Sequence, residues 1–104
     1  MLTIDYGGTP AEIYFRRPDG TARGYFHHQR MAPAGLYPLT GWCDVTVDVN
    51  FTDLRQWGEA AGLTTVEYTT QQAFVRSLTK SAVDSVHNTN GASEAFRCLL
   101  QRPA

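Results

Sequence analysis

The sequence lacks a strong excess of charge, a long hydrophobic run and clustered cysteines. Nine Lys and Arg oppose ten Asp and Glu, for a formal net charge of −1, which argues against nucleic-acid binding through a general basic field. No run of about 20 apolar residues occurs, so no transmembrane helix is predicted. The two cysteines, Cys43 and Cys98, do not form a C-x-x-C pair. We therefore expect reduced, packing thiols rather than a disulfide.

The histidines argue against a metal-binding protein, and the first residues argue against a secreted one. His27 and His28 are adjacent and His87 is distant, which is not a metal-ligand spacing, so no metal is expected. Residues 1–15 have two acids and no basic start, so no secretory signal is predicted and a cytoplasmic location is expected.

What is present fits one globular unit. The chain has 104 residues, of which 42% are hydrophobic and 18% charged, a balance typical of a folded domain of ordinary size. No internal repeat, low-complexity tract or linker divides the sequence, so residues 1–104 are interpreted as a single unit.

Three segments predict strands of an α/β fold. Leu2–Tyr6 is a short apolar run closed by Gly7-Gly8, as in a buried strand that enters a tight turn. Asp44–Val49 is rich in β-branched residues, and Leu63–Tyr68 alternates polar with apolar residues, as strands do. The proline- and glycine-rich region from Thr9 to Gly41 predicts loops, with an extended piece within residues 21–30.

Two helices are predicted. Asn50 is a suitable N-cap and Gly62 a suitable C-terminal cap for the first, and Leu54, Trp57 and Ala61 form its apolar face, with Trp57 in the core. The second begins after a cap at Thr69 or Thr70 and has a short apolar face: Phe74, Val75 and Leu78. A turn is predicted at residues 88–91.

The last segment fits two structures. Phe96, Leu99 and Leu100 fall on one face of a helix, whereas Phe96, Cys98 and Leu100 alternate as in a strand. Periodicity leaves both open.

Five short blocks follow one another in an order that is similar to a known family. They are Ile4-Asp5-Tyr6-Gly7, Arg23-x-Tyr25-x-x-His28, Asp44-x-Thr46-x-x-Val49-Asn50-Phe51, Tyr68-Thr69-Thr70-Gln71-x-Ala73-Phe74 and Glu94-Ala95-Phe96-Arg97-Cys98-Leu99-Leu100-Gln101. Together they resemble the C-terminal half of the MidA-like S-adenosylmethionine-dependent methyltransferases. That family includes a mitochondrial complex I assembly factor that methylates a protein arginine. Asn50 stands where the family usually has aspartate, and either residue caps a helix.

The resemblance implies an α/β fold, the C-terminal half of a class I, Rossmann-like methyltransferase sheet, so that residues 1–104 form a single partial domain. It makes Ala95–Gln101 the last strand, antiparallel to Leu2–Tyr6 and Leu63–Tyr68. It also implies S-adenosylmethionine as cofactor, bound by a missing half. This chain has no G-x-G-x-G pattern, and Gly7-Gly8 follows the wrong strand for a cofactor turn.

The resemblance also suggests a candidate site at the end of the first strand and in the segments after it. Asp5 could orient a guanidinium, because a carboxylate accepts a bidentate pair of hydrogen bonds. The alternative for each residue is structural, such as a turn bond for Asp5 or a capping role for Gln71. The implied catalytic residues are Asp5, Tyr6 and His28, and the implied substrate-binding residues are Asp44, Thr46 and Gln71.

The implied function is methyl transfer from S-adenosylmethionine to a protein arginine nitrogen, by a chain that is inactive alone. The alternative is a non-catalytic module that binds a protein partner through an unpaired sheet edge. The expected partners are a protein substrate and either further copies of the chain or the remainder of a longer protein. Neither nucleic acid nor membrane is an expected partner.

Overall fold

The computed structural model describes residues 1–78 and 92–104. The predicted turn at residues 88–91 lies outside this part of the chain. The described residues form seven strands and four α-helices: β1 (Leu2–Gly8), α1 (Pro10–Ile13), β2 (Arg23–Phe26), β3 (Gln29–Met31), β4 (Asp44–Thr46), β5 (Val49–Asn50), α2 (Phe51–Ala60), β6 (Leu63–Thr70), α3 (Gln71–Leu78), α4 (Ala92–Ala95) and β7 (Phe96–Pro103).

The main sheet has the strand order β5-β1-β7-β6. Strand β7 runs antiparallel to both neighbours, with Leu100 opposite Leu2 and Leu99 opposite Tyr68. Strands β1 and β6 are therefore parallel to each other. The prediction of an antiparallel last strand is confirmed. Its central position explains the choice of strand over helix, because β7 pairs on both edges and buries Cys98 and Leu99.

A second, three-stranded sheet has the order β3-β2-β4 and is antiparallel throughout. Its hairpin turn is formed by His27 and His28, which have φ angles of 47° and 62°. Two consecutive residues with positive φ give the twist that a two-residue hairpin needs, although glycine and asparagine usually supply it. The predicted extended segment within residues 21–30 is therefore a hairpin.

The predicted strand Asp44–Val49 is wrong in one respect, because it is divided between the two sheets. Its first part is β4, which pairs with β2, and its end is β5, which pairs with β1. The chain crosses between the sheets at Val47 and Asp48. A run of β-branched residues gives no indication of such a change of partner.

The prediction of a tight turn at Gly7-Gly8 is also wrong. Both residues continue β1 and lie opposite Val49 and Asn50 in a parallel pair. A Cβ atom at Gly7 would lie 2.0 Å from the carbonyl oxygen of Val49. Glycine is required here because the two backbones approach closely.

Helix α1 occupies part of the region predicted as loop. The backbone N–H and the hydroxyl of Thr9 donate to the Glu12 carboxylate, at 2.7 and 3.1 Å. With Pro10 at the first helical position, this is a capping box. The backbone N–H of Thr9 holds the pKa of Glu12 below its usual value.

Helix α2 begins and ends as predicted. The side chain of Asn50 accepts from the backbone N–H groups of Thr52 and Asp53, and Gly62 has a φ of 88° after the helix. The predicted core position of Trp57 is wrong, because that side chain is 67% exposed.

The contacts of α2 explain this exposure. Phe51 is buried, and the space beside Gly58 is filled by the amide of Gln101. Since neighbouring helical residues point about 100° apart, packing on Phe51 and Gly58 turns Trp57 away from β7. The buried amide donates to the carbonyl of Arg55 at 3.3 Å and to the hydroxyl of Thr65 at 3.4 Å.

The second helix is capped as predicted, because the Thr70 hydroxyl accepts from the backbone N–H of Ala73. Phe74 is buried, but Leu78, predicted on the apolar face, is exposed. No described element covers Leu78. Among the described helices, none is long and apolar enough to cross a bilayer.

The core formed by the described residues is small. Among the described residues it consists of Ile13, Phe51, Phe74, Cys98 and Leu99. The chain exposes 7395 Å², about a quarter more than the roughly 5,800 Å² expected for a folded monomer of this mass. Its radius of gyration is 16.3 Å, against about 13 Å for an ordinary domain of about 100 residues.

Strand β1 is poorly covered by the described part of the chain. The prediction that it is buried is wrong, since Leu2, Ile4 and Tyr6 are 45%, 44% and 41% exposed. One edge pairs with β7, but only Gly7 and Gly8 pair on the other edge. Within the described chain, Leu2–Tyr6 therefore forms an open sheet edge with exposed apolar side chains.

The two ends of the chain lie on the same end of the main sheet. The amino group of Met1 donates to the carbonyl of Gln101 at 2.6 Å. The N–H of Ala104 donates to the carbonyl of Gly62, in the turn that precedes β6.

Candidate functional site

A cavity of about 290 Å³ lies where β1 ends and β7 begins. Because β7 is antiparallel, its first residues lie beside the carboxyl ends of β1 and β6, the edge at which open α/β sheets bind ligands. We call it the carboxyl-end cavity; its polar lining residues are Tyr6, Glu12, Arg17, Asp48 and Arg97.

The lining of this cavity combines carboxylates with guanidinium groups. A nitrogen of Arg97 lies 3.6 Å from Glu12, and the Tyr6 ring packs against Phe96 with centroids 3.9 Å apart. Glu12 is half exposed and its pKa is lowered, first by the N–H of Thr9, then by the Thr9 hydroxyl and by Arg97. The cavity therefore presents an ionised carboxylate to a bound group at neutral pH.

Asp48 connects this cavity to the small sheet. Its carboxylate accepts from Arg17 at 2.6 Å and from Arg23 at 2.8 Å, and its backbone N–H donates to the Thr21 hydroxyl. The carboxylate is 13% exposed. Asp48 thus holds together the segment after α1, the start of β2 and the crossing between the two sheets.

We expect Asp48→Asn to lower the free energy of unfolding by about 2 kcal/mol, because hydrogen bonds to charged groups contribute about 1.5–3 kcal/mol. Urea denaturation of the 104-residue chain measures this loss. Asp19→Asn is the matched control, since Asp19 is exposed and its carboxylate has no hydrogen bond within residues 1–78 or 92–104. Equal losses in the two variants would contradict a structural role for Asp48.

A second cavity, of about 580 Å³, lies beside the β2–β3 turn. We call it the hairpin cavity. His28 and Asp44 line it together with Tyr25 and Trp42. Aromatic rings and a carboxylate suit a cationic group.

The structure therefore separates the predicted site residues. Tyr6 lines the carboxyl-end cavity, whereas His28 and Asp44 line the hairpin cavity. Asp5 is exposed, lines neither cavity, and accepts a hydrogen bond from the N–H of Tyr6 at 2.8 Å. A bond to the nearby backbone is what the structural alternative for Asp5 predicts. The other carboxylate oxygen makes no hydrogen bond to the described residues. The proposed roles stay predictions.

The two remaining candidates also lie apart. Thr46 pairs with Arg23 between β4 and β2. Gln71 is half-buried at the start of α3, directly after Thr70, which lies opposite Arg97. Gln71 is therefore at the same end of the main sheet as the carboxyl-end cavity.

Sequence reasoning missed four groups near the site, those of Glu12, Asp48, Tyr68 and Arg97. Glu12 was detectable, because Thr9-x-x-Glu12 is a capping-box pattern. Asp48 had no local signal, since its partners Arg17 and Arg23 are distant in sequence. The contact of Arg97 with Glu12 is likewise distant in sequence. The Tyr68 hydroxyl is buried without a hydrogen-bond partner in the described chain, and burial raises its pKa.

The thiol of Cys98 is buried, and burial raises its pKa. A protonated thiol is a poor nucleophile. This agrees with the prediction of an inert packing residue.

The glycine pair does not fit a cofactor cradle. The position beside Gly7 is filled by the backbone of Val49, and that beside Gly8 by the side chain of Glu12. A phosphate or nucleoside turn needs glycines whose backbone a ligand can approach. Among the described residues, Gly7 and Gly8 close a strand pair instead.

The sheet order and the site at its carboxyl edge define part of an α/β fold of the methyltransferase type. A family described as "Putative S-adenosyl-L-methionine-dependent methyltransferase" matches residues 1–69. The chain belongs to this S-adenosyl-L-methionine-dependent methyltransferase family. None of the curated proteins matches it.

Two solved structures from Burkholderia thailandensis are similar in fold. One is a COG1565 superfamily member bound to S-adenosyl-homocysteine, with a TM-score of 0.69 and 23% identity over 96% of this chain. The other is a native structure of a COG1565 superfamily protein, with a TM-score of 0.63 and 24% identity over 94% of this chain. The chain spans only 30% and 31% of their lengths. The predicted fold class is confirmed.

Proposed function

We propose that this chain is the substrate-binding part of a MidA-like methyltransferase that transfers a methyl group from S-adenosylmethionine to a protein arginine nitrogen. The cofactor-binding part is a separate segment, in the same polypeptide or in another. Family membership and the short coverage of the solved relatives support this division.

The carboxyl-end cavity is the observation on which the proposal mainly rests. Glu12 and Asp48 line it beside Tyr6, and Asp5 directly precedes Tyr6 on β1. A carboxylate accepts two parallel N–H bonds from a guanidinium and so fixes its plane. Such fixing would orient one nitrogen toward a methyl donor held by the other part of the enzyme. S-adenosylmethionine supplies that methyl group when it is bound there.

Calorimetry and a methylation assay test this division. Residues 1–104 alone should show no saturable binding of S-adenosylmethionine, because the chain has no glycine-rich turn. The chain joined to its cofactor-binding part should methylate an arginine peptide and not the matching lysine peptide. Micromolar cofactor binding by the isolated chain would refute the division, and methylation of lysine would refute the substrate.

A protein-interaction module is the second candidate function. The open edge at Leu2–Tyr6 favours it, because unpaired strand edges bind other strands. This function requires no cofactor in any longer protein. The absence of methyl transfer from the complete protein, together with stable binding of a partner strand, would support it over the first.

A further inference from the structure

Four arginines that are dispersed in the sequence line one cavity in the folded chain. Arg16 and Arg17 follow α1, Arg23 begins β2 and Arg30 lies in β3. The cavity has a volume of about 390 Å³, within the usual range of ligand sites. We call it the arginine cavity. It gathers four of the nine basic residues of a chain whose net charge is −1.

The arginines are not equally neutralised. Arg17 and Arg23 share the carboxylate of Asp48, and Asp19 also lines the cavity. Two carboxylates thus oppose four guanidinium groups, which leaves a local excess of positive charge.

Two of the guanidinium groups remain available. Arg16 is exposed and lies over the Phe15 ring, 5.2 Å from its centroid. Arg30 is exposed, and its guanidinium makes no hydrogen bond or ion pair with any other residue in the described ranges. Guanidinium groups bind carboxylates in a bidentate geometry. Arg16 and Arg30 can therefore pair with an incoming anion without breaking the Asp48 contacts.

The arginine cavity adjoins the candidate site. Arg17 lines both the arginine cavity and the carboxyl-end cavity, and its partner Asp48 also lines the latter. A polypeptide bound along the first cavity would therefore enter the second next to Tyr6. Arg17, which lines both cavities, thus places an anion bound in the arginine cavity next to the carboxyl-end cavity, where a substrate side chain would be held.

We propose that the arginine cavity binds an acidic segment of the polypeptide substrate, with its Asp or Glu carboxylates paired to Arg16 and Arg30. The identity of the ligand as the substrate rests on the proposed function. The binding itself needs neither cofactor nor catalysis. Charge complementarity selects the ligand, and continuity with the carboxyl-end cavity positions the residue to be modified.

The test uses fluorescence anisotropy with the whole 104-residue chain and a labelled peptide that contains four consecutive glutamates. A peptide with four glutamines is the matched ligand control. The glutamate peptide should bind, and the affinity should fall as salt screens the charges. The double variant Arg16→Gln/Arg30→Gln should weaken binding at least about tenfold, since each charge-assisted pair contributes well above a neutral hydrogen bond.

Arg55→Gln/Arg102→Gln is the control for net charge, because both residues are exposed and lie outside the cavity. This variant should bind the glutamate peptide with an affinity within about twofold of the unsubstituted chain. Far-UV circular dichroism should show that all variants are folded. Equal weakening by the two double variants would overturn the proposal, as would equal binding of the glutamine peptide or no binding of either.

Two further ligands separate other anions from acidic peptides. Displacement of the peptide by micromolar inorganic phosphate would overturn the proposal and assign the cavity to a small oxyanion. Tighter binding of a single-stranded oligonucleotide of equal charge would assign it to nucleic acid instead. The assay contains no S-adenosylmethionine, so a failure of methyl transfer and a failure of peptide binding are separately observable.

Discussion

Asp5→Asn is expected to slow methyl transfer roughly 30- to 150-fold in the complete enzyme, while cofactor affinity stays near normal. In the proposed function Asp5 orients the substrate guanidinium, and loss of that charge-assisted pair would cost on the order of 2–3 kcal/mol, which gives this range. The substitution preserves shape, and an asparagine oxygen can still accept the bond from the N–H of Tyr6. The local structure should therefore survive while the charge is removed. Single-turnover kinetics and calorimetry measure the two quantities.

Glu12→Gln is the companion variant, because Glu12 offers the competing carboxylate in the carboxyl-end cavity. Glutamine also completes a capping box, so α1 should persist. A large loss in Glu12→Gln with normal turnover in Asp5→Asn would assign guanidinium binding to Glu12 and leave Asp5 with its backbone contact alone.

The isolated chain should self-associate through Leu2–Tyr6, and Ile4→Lys should convert it to a monomer at concentrations of about 100 μM. The open edge of β1 offers unpaired backbone groups beside exposed apolar side chains, and a net charge of −1 gives little repulsion. Lysine in the middle of that strand would place like charges close together in a symmetric strand pair. Sedimentation velocity measures the change.

Val66→Lys distinguishes the edge formed by β6 from the open part of the β1 edge. Val66 is exposed on β6, at the opposite side of the sheet from β1, and the same charge there should leave association unchanged. A wild-type chain that is a dispersed monomer would defeat the prediction and favour a self-sufficient module. Dispersal by Val66→Lys alone would place the contact on β6.

Local signals in the sequence were sufficient for elements that carry their own caps or alternation. Asn50 and Gly62 defined the ends of α2. Thr69 or Thr70 was predicted to cap α3, and Thr70 is the residue that does so. For the last strand, the periodicity of Phe96–Leu100 was ambiguous, and the resemblance to a known sheet was needed to choose. The antiparallel β7 at the centre of the sheet agrees with that choice.

Features that depend on distant partners were not predictable from the sequence. Trp57 is exposed because the close approach of Gly58 to Gln101 decides which side of α2 faces the sheet. The change of partner at Val47–Asp48 depends on pairing with β2, 19 to 23 residues away, and with β1, 42 residues away. The hydrophobic pattern alone therefore predicts neither the exposure of Trp57 nor the change of sheet at Val47–Asp48.

The candidate site shows the same limit. Tyr6 was identified by its place at the C-terminal end of the predicted strand Leu2–Tyr6, and the structure puts it in a cavity at the carboxyl edge. The grouping of Arg16, Arg23 and Arg30 was invisible in a sequence whose basic residues look scattered. Only the antiparallel pairing of β2 with β3, and the crossing of Asp48 between the sheets, brings those charges together.

The position of the two chain ends has a consequence for how this protein can be joined to others. Met1 contacts Gln101, and Ala104 contacts Gly62, all at the end of the main sheet opposite Tyr6 and Arg97. Strand β1 is seven residues long, so the two ends of the sheet are roughly 20 Å apart. A dye, tag or fused domain on either terminus would therefore be attached far from the carboxyl-end cavity. A linker of a few residues between Met1 and Ala104 would also suffice to circularise the fold, so the order of its elements could be permuted without rearranging the sheet.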